Sequence, residues 1–159
     1  MVGRNKAPLL ALVATVWLPI LAGCAGKIDR KSGGDAYRNE AKTIAPGKFV
    51  DDTLDHSAGD STDWKSVEIV QPGKFVVALT SDPDAEIALG VYDKYGAPVG
   101  SAIKRKGSSK MVKVTVTAKG TGLYFIRIRA QNGGSITYSV KASLGGGGGG
   151  GGGPDLPDF

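Results

Sequence analysis

The chain has 159 residues and a formal net charge of +5, a length that suggests one domain with additional segments. Its single cysteine, Cys24, excludes an intrachain disulfide and a multi-cysteine metal site. Its single histidine, His56, excludes most histidine-based metal sites and catalytic triads.

Residues 1–23 have the pattern of a secretory signal peptide. Arg4 and Lys6 form a positive n-region, and residues 7–22 are an apolar run that is too short for a transmembrane helix. The run ends in Leu21-Ala22-Gly23-Cys24, which resembles the bacterial lipobox. The resemblance implies that the signal is removed and that a diacylglyceryl group is attached to the sulfur of Cys24.

The residue after the lipobox bears on the location of the mature chain. Ala25, rather than aspartate, follows Cys24, and by resemblance to lipoprotein sorting this favours the outer membrane of a two-membrane bacterium. The expected partner at the membrane is therefore the bilayer itself, and export argues against nucleic acid as a partner. The alternative is an ordinary secreted protein with an incidental cysteine, although an exposed free thiol would be reactive. Residues 24–45 are polar and are interpreted as a tether.

Residues 46–144 have the pattern of a β-domain. Short alternating or apolar runs are separated by Gly, Pro, Asp and Asn. One amphipathic sheet must cover its apolar face with another, so we expect an all-β, antiparallel β-sandwich of about eight strands. A jelly roll and a Greek-key sandwich both stay open. The predicted strands are Lys48–Leu54, Trp64–Val70, Phe75–Thr80, Glu86–Tyr92, Val99–Ile103, Lys110–Ala118, Leu123–Arg129 and Ser135–Leu144.

Four parts of this domain have a pattern in common with a known family. They are residues 59–69 and 72–74, residues 87–96, residues 122–128 and residues 138–140. In order and spacing, across residues 46–143, they resemble the bacterial pre-peptidase C-terminal domain. The resemblance implies a jelly-roll-like sandwich that is not catalytic and serves as an accessory module, and some relatives bind collagen or polysaccharide.

The same resemblance implies calcium as a candidate cofactor. An Asp-x-x-Asp pair followed by an aromatic residue, Asp60 and Asp63 before Trp64, matches calcium-binding relatives, with Glu40 and Asn39 as upstream ligands. Calcium takes six to eight oxygen ligands. The other interpretation is an Asp-rich turn whose carboxylates cap backbone amides.

A basic segment and one tryptophan are further candidate partner-binding sites. The second part of the domain, residues 104–144, has nine Lys and Arg and no acidic residue. It begins with Lys104, Arg105 and Lys106. They form either a solvated loop or a docking surface for an anionic partner. Trp64, opposite Val67 on its strand, is either a rim residue or a platform for a sugar.

The C-terminal segment, residues 145–159, contains nine consecutive glycines and then Pro-Asp-Leu-Pro-Asp-Phe. It is either an unselected tail or a docking peptide with Leu156 and Phe159 as anchors. The sequence therefore predicts a non-enzymatic, lipid-anchored envelope protein whose sandwich binds protein or glycan. The alternative is a structural subunit of an outer-membrane assembly, docked through this peptide.

Overall fold

The computed structural model describes residue 31 and residues 33–145, so the predicted signal peptide, Cys24, Leu156 and Phe159 lie outside the described residues. Within the described part of the chain, no helix has the length and apolar character needed to cross a membrane. A 3-10 helix, Arg38–Glu40, precedes nine strands: β1 Lys42–Thr43, β2 Val50–Asp55, β3 Thr62–Ile69, β4 Gly73–Ser81, β5 Ile87–Tyr92, β6 Pro98–Lys104, β7 Val112–Ala118, β8 Gly122–Ala130 and β9 Ser135–Leu144.

The strands form two packed sheets. One sheet has five strands in the order β1-β3-β8-β5-β6, and the other has four in the order β2-β9-β4-β7. The pairs β2–β9, β3–β8, β4–β7 and β5–β6 are all antiparallel, as in one long hairpin rolled into two layers. This is the jelly-roll arrangement. The structure therefore confirms the predicted fold class and selects the jelly roll over the other sandwich topology.

The core lies between the sheets and follows the two-residue period of the strands. The inward side chains that the sequence pattern selects are buried, and Phe75 and Tyr124 meet edge to face with ring centroids 5.3 Å apart. Burial of each large apolar side chain contributes about 1.5–3 kcal/mol. The buried residues include Val67, Ile69, Ile87, Leu89, Val91, Val114, Val116, Ile126, Ile128, Tyr138 and Val140.

Residues 35–45, which the sequence analysis places in the tether, belong to the sandwich. Lys42–Thr43 pairs in parallel with β3, Ile44 is buried in the core, and the Trp64 N–H donates to the Asp35 carbonyl over 2.8 Å. These contacts satisfy backbone groups at the edge of β3 that would otherwise be unpaired. The predicted boundary at residue 46 therefore moves back to Asp35.

A candidate binding face and the ion cluster beneath it

Strand β3 presents polar chemistry on both of its faces. Trp64 is half-buried on the outer surface of the five-stranded sheet, whereas its neighbours Asp63 and Lys65 are buried on the inner side. The inner residues join Asp35, Lys42, Asp52 and Tyr138, and these six residues are called the ion cluster below.

The ammonium group of Lys65 is the centre of the ion cluster. Its Nζ lies 2.6 Å from Oδ2 of Asp35, 2.5 Å from Oδ2 of Asp52 and 3.7 Å from Oδ2 of Asp63. The Lys65 side chain is only 1% exposed, and so is that of Asp35. The Tyr138 hydroxyl donates to Asp63 over 2.5 Å. A buried lysine is stable in such a site because its charge is paired and hydrogen-bonded.

The charge of the cluster is balanced by two lysines and one protonatable carboxyl. Lys42, which is 52% exposed, lies 3.2 Å from Asp35 and supplies the second ammonium group. Burial raises the pKa of Asp63 to about 7, and the neighbouring carboxylates add to the effect, although the Tyr138 hydroxyl and Lys65 oppose it. A proton on Asp63 therefore leaves two carboxylates facing two ammonium groups.

Hydrogen bonds favour the charged forms of Lys65 and Asp52. Burial opposes the charged forms of Lys65 and Asp52, but the hydrogen bonds outweigh it. The pKa of Lys65 is consequently raised by its carboxylate partners. The pKa of Asp52 is lowered by Lys65 and by the Thr53 N–H. Burial, and then the charge of Asp63, raises the pKa of Tyr138, so the phenol stays protonated and acts as a donor.

The structure does not bring the four predicted calcium ligands together. Within the described residues, the three-acid group with ligand atoms within 4.8 Å of one another is Asp35, Asp52 and Asp63, which contains one predicted ligand. Asp60 forms an isolated bridge with Asp55. The other two predicted ligands, Asn39 and Glu40, are exposed in the 3-10 helix.

The three-acid group does not fit calcium either. The Lys65 ammonium lies within hydrogen-bonding distance of two of its carboxylates, and the Tyr138 hydroxyl bonds the third. A calcium ion needs six to eight oxygen ligands and would have to displace a buried ammonium that already neutralises the group. The residues present therefore form a site that holds a cation of the chain itself.

Above the cluster, aromatic and arginine side chains share the outer surface of the five-stranded sheet. The Trp64 and Tyr92 ring centroids are 5.2 Å apart and tilted by 48°. The Arg127 guanidinium carbon lies 5.8 Å from the Trp64 ring centroid and 5.4 Å from that of Tyr92. Arg38 lies 5.3 Å from the centroid of Phe125. These five residues are called the aromatic–arginine face.

Strand register explains this grouping. Trp64 is directly opposite Arg127 in the β3–β8 pair, and Arg127 is directly opposite Gly90 in the β8–β5 pair. Tyr92 turns back over Gly90, where a Cβ would lie 3.0 Å from the tyrosine Cε2 and 3.1 Å from its hydroxyl. A glycine at position 90 therefore lets the Tyr92 ring lie close to the sheet without a tight contact.

The ion cluster also positions one member of the outer face. Asp35 is held by Lys65, and three residues later Arg38 extends over Phe125 toward Gly96. Gly96 has a φ of +90°, and a Cβ there would overlap the guanidinium of Arg38. The interior salt bridge and this turn glycine together allow the arginine to reach the face.

A groove runs beside the aromatic–arginine face on β5 and β6. Its volume is about 320 Å³, and its lining includes Tyr92, Ser101, Ile103 and Arg127. Gly90 in the lining has no side chain, and the Tyr92 ring lies over it. Arg127 is the single charged residue in the lining, so the groove offers a cation, a ring and a hydroxyl.

The prediction that Lys104 binds a partner is wrong. Its side chain is fully buried, and its Nζ donates to the carbonyls of Asp82 at 2.7 Å, Ala85 at 3.0 Å and Pro83 at 3.3 Å. The three N–H groups of the ammonium are donated to three backbone carbonyls, so none is left for a ligand. The exposed residues Arg105 and Lys106 follow it, and partner binding through them stays a prediction.

The Asp55-His56-Ser57 stretch forms a turn. The Asp55 carboxylate accepts the Ser57 hydroxyl over 2.6 Å and the Ala58 N–H over 2.9 Å. These hydrogen bonds lower the pKa of Asp55. The carboxylate thus orders the turn.

Sequence analysis missed Asp35, Asp52, Lys65, Tyr92 and Arg127 as members of these two sites. The alternation of β3 did hold a signal for Lys65, because this lysine shares a strand face with Val67 and Ile69. A charged residue on an apolar face predicts a buried ion pair.

Comparisons with known proteins support the fold. No family model and no curated protein matches the sequence. The pre-peptidase C-terminal domain of collagenase from Bacillus anthracis is similar with a TM-score of 0.53 and 13% identity, over 65% of this chain and 94% of that domain. A surface-associated copper-binding protein, CorA, of Methylomicrobium album BG8 is similar with a TM-score of 0.54 and 11% identity, over 66% of this chain and 98% of the other. The chain therefore has the fold that the resemblance of its sequence implies.

Proposed function

We propose that the chain is a non-enzymatic, lipid-anchored protein of the cell envelope whose jelly roll is a binding module for glycan or protein. The observation on which this proposal depends is the aromatic–arginine face. Aromatic rings and arginines are the residue types enriched where proteins bind partners. The face offers stacking surfaces and a cation rather than a nucleophile paired with a base, which favours binding over catalysis.

The length of the chain between Cys24 and the folded body supports an anchored module. Asp35 is locked into the sandwich by Lys65, so the chain joins the folded body at this residue. Asp35 lies 11 positions after Cys24, with ten residues between them. A fully extended segment of that length spans about 35–40 Å, which is enough to hold the binding face clear of lipid headgroups.

The lipid anchor is tested with Cys24→Ala. We expect the unaltered chain to fractionate with membranes and its Cys24 peptide to carry the mass of acyl chains, whereas Cys24→Ala should be released. An unmodified thiol in a freely released chain would contradict the anchor.

Binding is tested by sedimenting the full chain with isolated envelopes. Trp64→Ala should reduce the bound fraction, because it removes the ring that supports Arg127. Thr115→Ala, an exposed change on the four-stranded sheet, is the matched control and should bind normally. Equal binding by both variants, at unchanged melting temperature, would reject the face.

The runner-up is a structural subunit docked through its C-terminal peptide. Leu156 and Phe159 in an otherwise acidic segment favour it. Deletion of residues 145–159 should then abolish co-purification of a partner while the domain still folds. Unchanged co-purification would reject this reading.

A further inference from the structure

We propose that the groove beside Arg127 binds acidic sugar units of a polysaccharide, with the guanidinium on the sugar carboxylate and the Tyr92 ring beside the sugar ring. The inference deepens the proposed function and rests on it, because it names the ligand of the aromatic–arginine face.

The charge of Arg127 is available to a ligand. Among the described residues, the ion pairs of the ion cluster join its aspartates to Lys42 or Lys65, and Arg127 takes part in none of them. The groove lining contains no carboxylate. A planar guanidinium binds a carboxylate through two parallel hydrogen bonds. The groove therefore complements a ligand with a carboxylate, whose two oxygens can accept both hydrogen bonds.

Two rings hold this guanidinium in place before any ligand arrives. The Arg127 guanidinium carbon lies 5.8 Å from the Trp64 ring centroid and 5.4 Å from that of Tyr92. The face of an aromatic ring attracts a guanidinium electrostatically, so both rings favour this position of the arginine. An arginine that is already ordered loses less side-chain entropy on binding.

The groove suits a sugar ring better than an acidic peptide. The Tyr92 ring and Ile103 in its lining offer apolar surface to the C–H face of a pyranose. The hydroxyl of Ser101, also in the lining, can bond a sugar hydroxyl. The volume of about 320 Å³ is at the small end for ligand pockets and fits one unit of a longer chain.

A second arginine extends the site along the sheet. Arg129 is exposed, lies two residues beyond Arg127 on β8, and shares its outward face. Two residues of a strand span about 6.6–6.8 Å. A polymer with a carboxylate on successive units can therefore meet both cations, whereas a single sugar acid meets one.

The experiment titrates the full mature chain in detergent with three probes: oligogalacturonate, a neutral β-glucan oligomer of the same length, and poly-L-glutamate. We expect oligogalacturonate to bind most tightly, with an affinity that falls as salt rises. Arg127→Gln should weaken it at least tenfold. Tyr92→Ala should weaken oligogalacturonate binding as well, whereas Tyr92→Phe, which keeps the ring, should bind like the unaltered chain. Lys113→Gln, an exposed change on the other sheet, is the control.

Three outcomes would overturn the inference. Tightest binding of the neutral glucan, unaffected by Arg127→Gln, would reject an acidic ligand. Equal binding of poly-L-glutamate would reject a sugar. Binding of none of the probes would reject a glycan. In each case the proposed function would still be supported if binding to isolated envelopes depended on Trp64. Failure of the acidic-sugar ligand and failure of the proposed function are therefore distinguishable.

Discussion

Replacement of Lys65 by methionine should destabilise the domain strongly, because it removes the cation that the ion cluster surrounds. Three carboxylates with ligand atoms within 4.8 Å of one another would lose the ammonium that lies 2.5–3.7 Å from each. Breaking a buried ion pair from one side costs about 3–5 kcal/mol. Against a typical domain stability of about 5–15 kcal/mol, the variant should remain folded but with a much lower denaturation midpoint.

Urea denaturation of Lys65→Met at pH 7 and pH 5 provides the assay. The loss should be smaller at pH 5, because crowded carboxylates without a cation take up protons more readily. Lys113→Met is the matched control: an exposed lysine of β7, whose loss should cost no more than about 0.5 kcal/mol. A loss below about 1 kcal/mol for Lys65→Met, or an equal loss at both pH values, would refute the assignment of Lys65 as the central cation.

Three further predictions follow from the same geometry. The raised pKa of Asp63, about 7 against an ordinary 3.8, means that the folded chain holds a proton that the unfolded chain releases. This residue should make the free energy of unfolding fall as pH rises from about 4 to about 7, and Asp63→Asn should remove that slope in urea titrations; an unchanged slope would contradict the shift. Lys104→Met should lower stability by about 1–3 kcal/mol, because the carbonyls of Asp82, Pro83 and Ala85 lose their donor, while Lys106→Met should be neutral; equal effects in thermal melts would contradict the buried role of Lys104. Millimolar calcium should not raise the melting temperature of the unaltered chain, and a clear rise would show that the metal displaces Lys65 or binds elsewhere.

The strands and their inward faces were predictable because each has a two-residue period of its own. Strand β5 is an example: Ile87, Leu89 and Val91 alternate with outward residues and are buried. Strand β1 has two residues, which is too short for any period to appear. The order of the strands depends on pairings between distant segments, such as β2 with β9, which no local pattern encodes.

The two sites were less predictable because each depends on distant residues. The partners of Lys65 lie 30 residues upstream at Asp35 and 13 upstream at Asp52. The aromatic–arginine face joins Trp64, Tyr92 and Arg127, which are on three different strands. Sequence reasoning placed Trp64 on the outer face but could not identify its neighbours. The wrong prediction for Lys104 had a local cause. The predicted strand ended at Ile103, but the observed strand includes Lys104, which places this lysine on the same inward face as Ala102.

The most direct test of the account is photo-crosslinking in native envelopes, with the photoreactive residue at Ser101 beside the groove or at Thr115 on the opposite sheet. Mass spectrometry of the adducts reads out what each position touches. The account predicts one recurring envelope component crosslinked from position 101 and none from position 115. Adducts formed only from position 115, or at equal yield from both, would contradict binding through the outer surface of the five-stranded sheet.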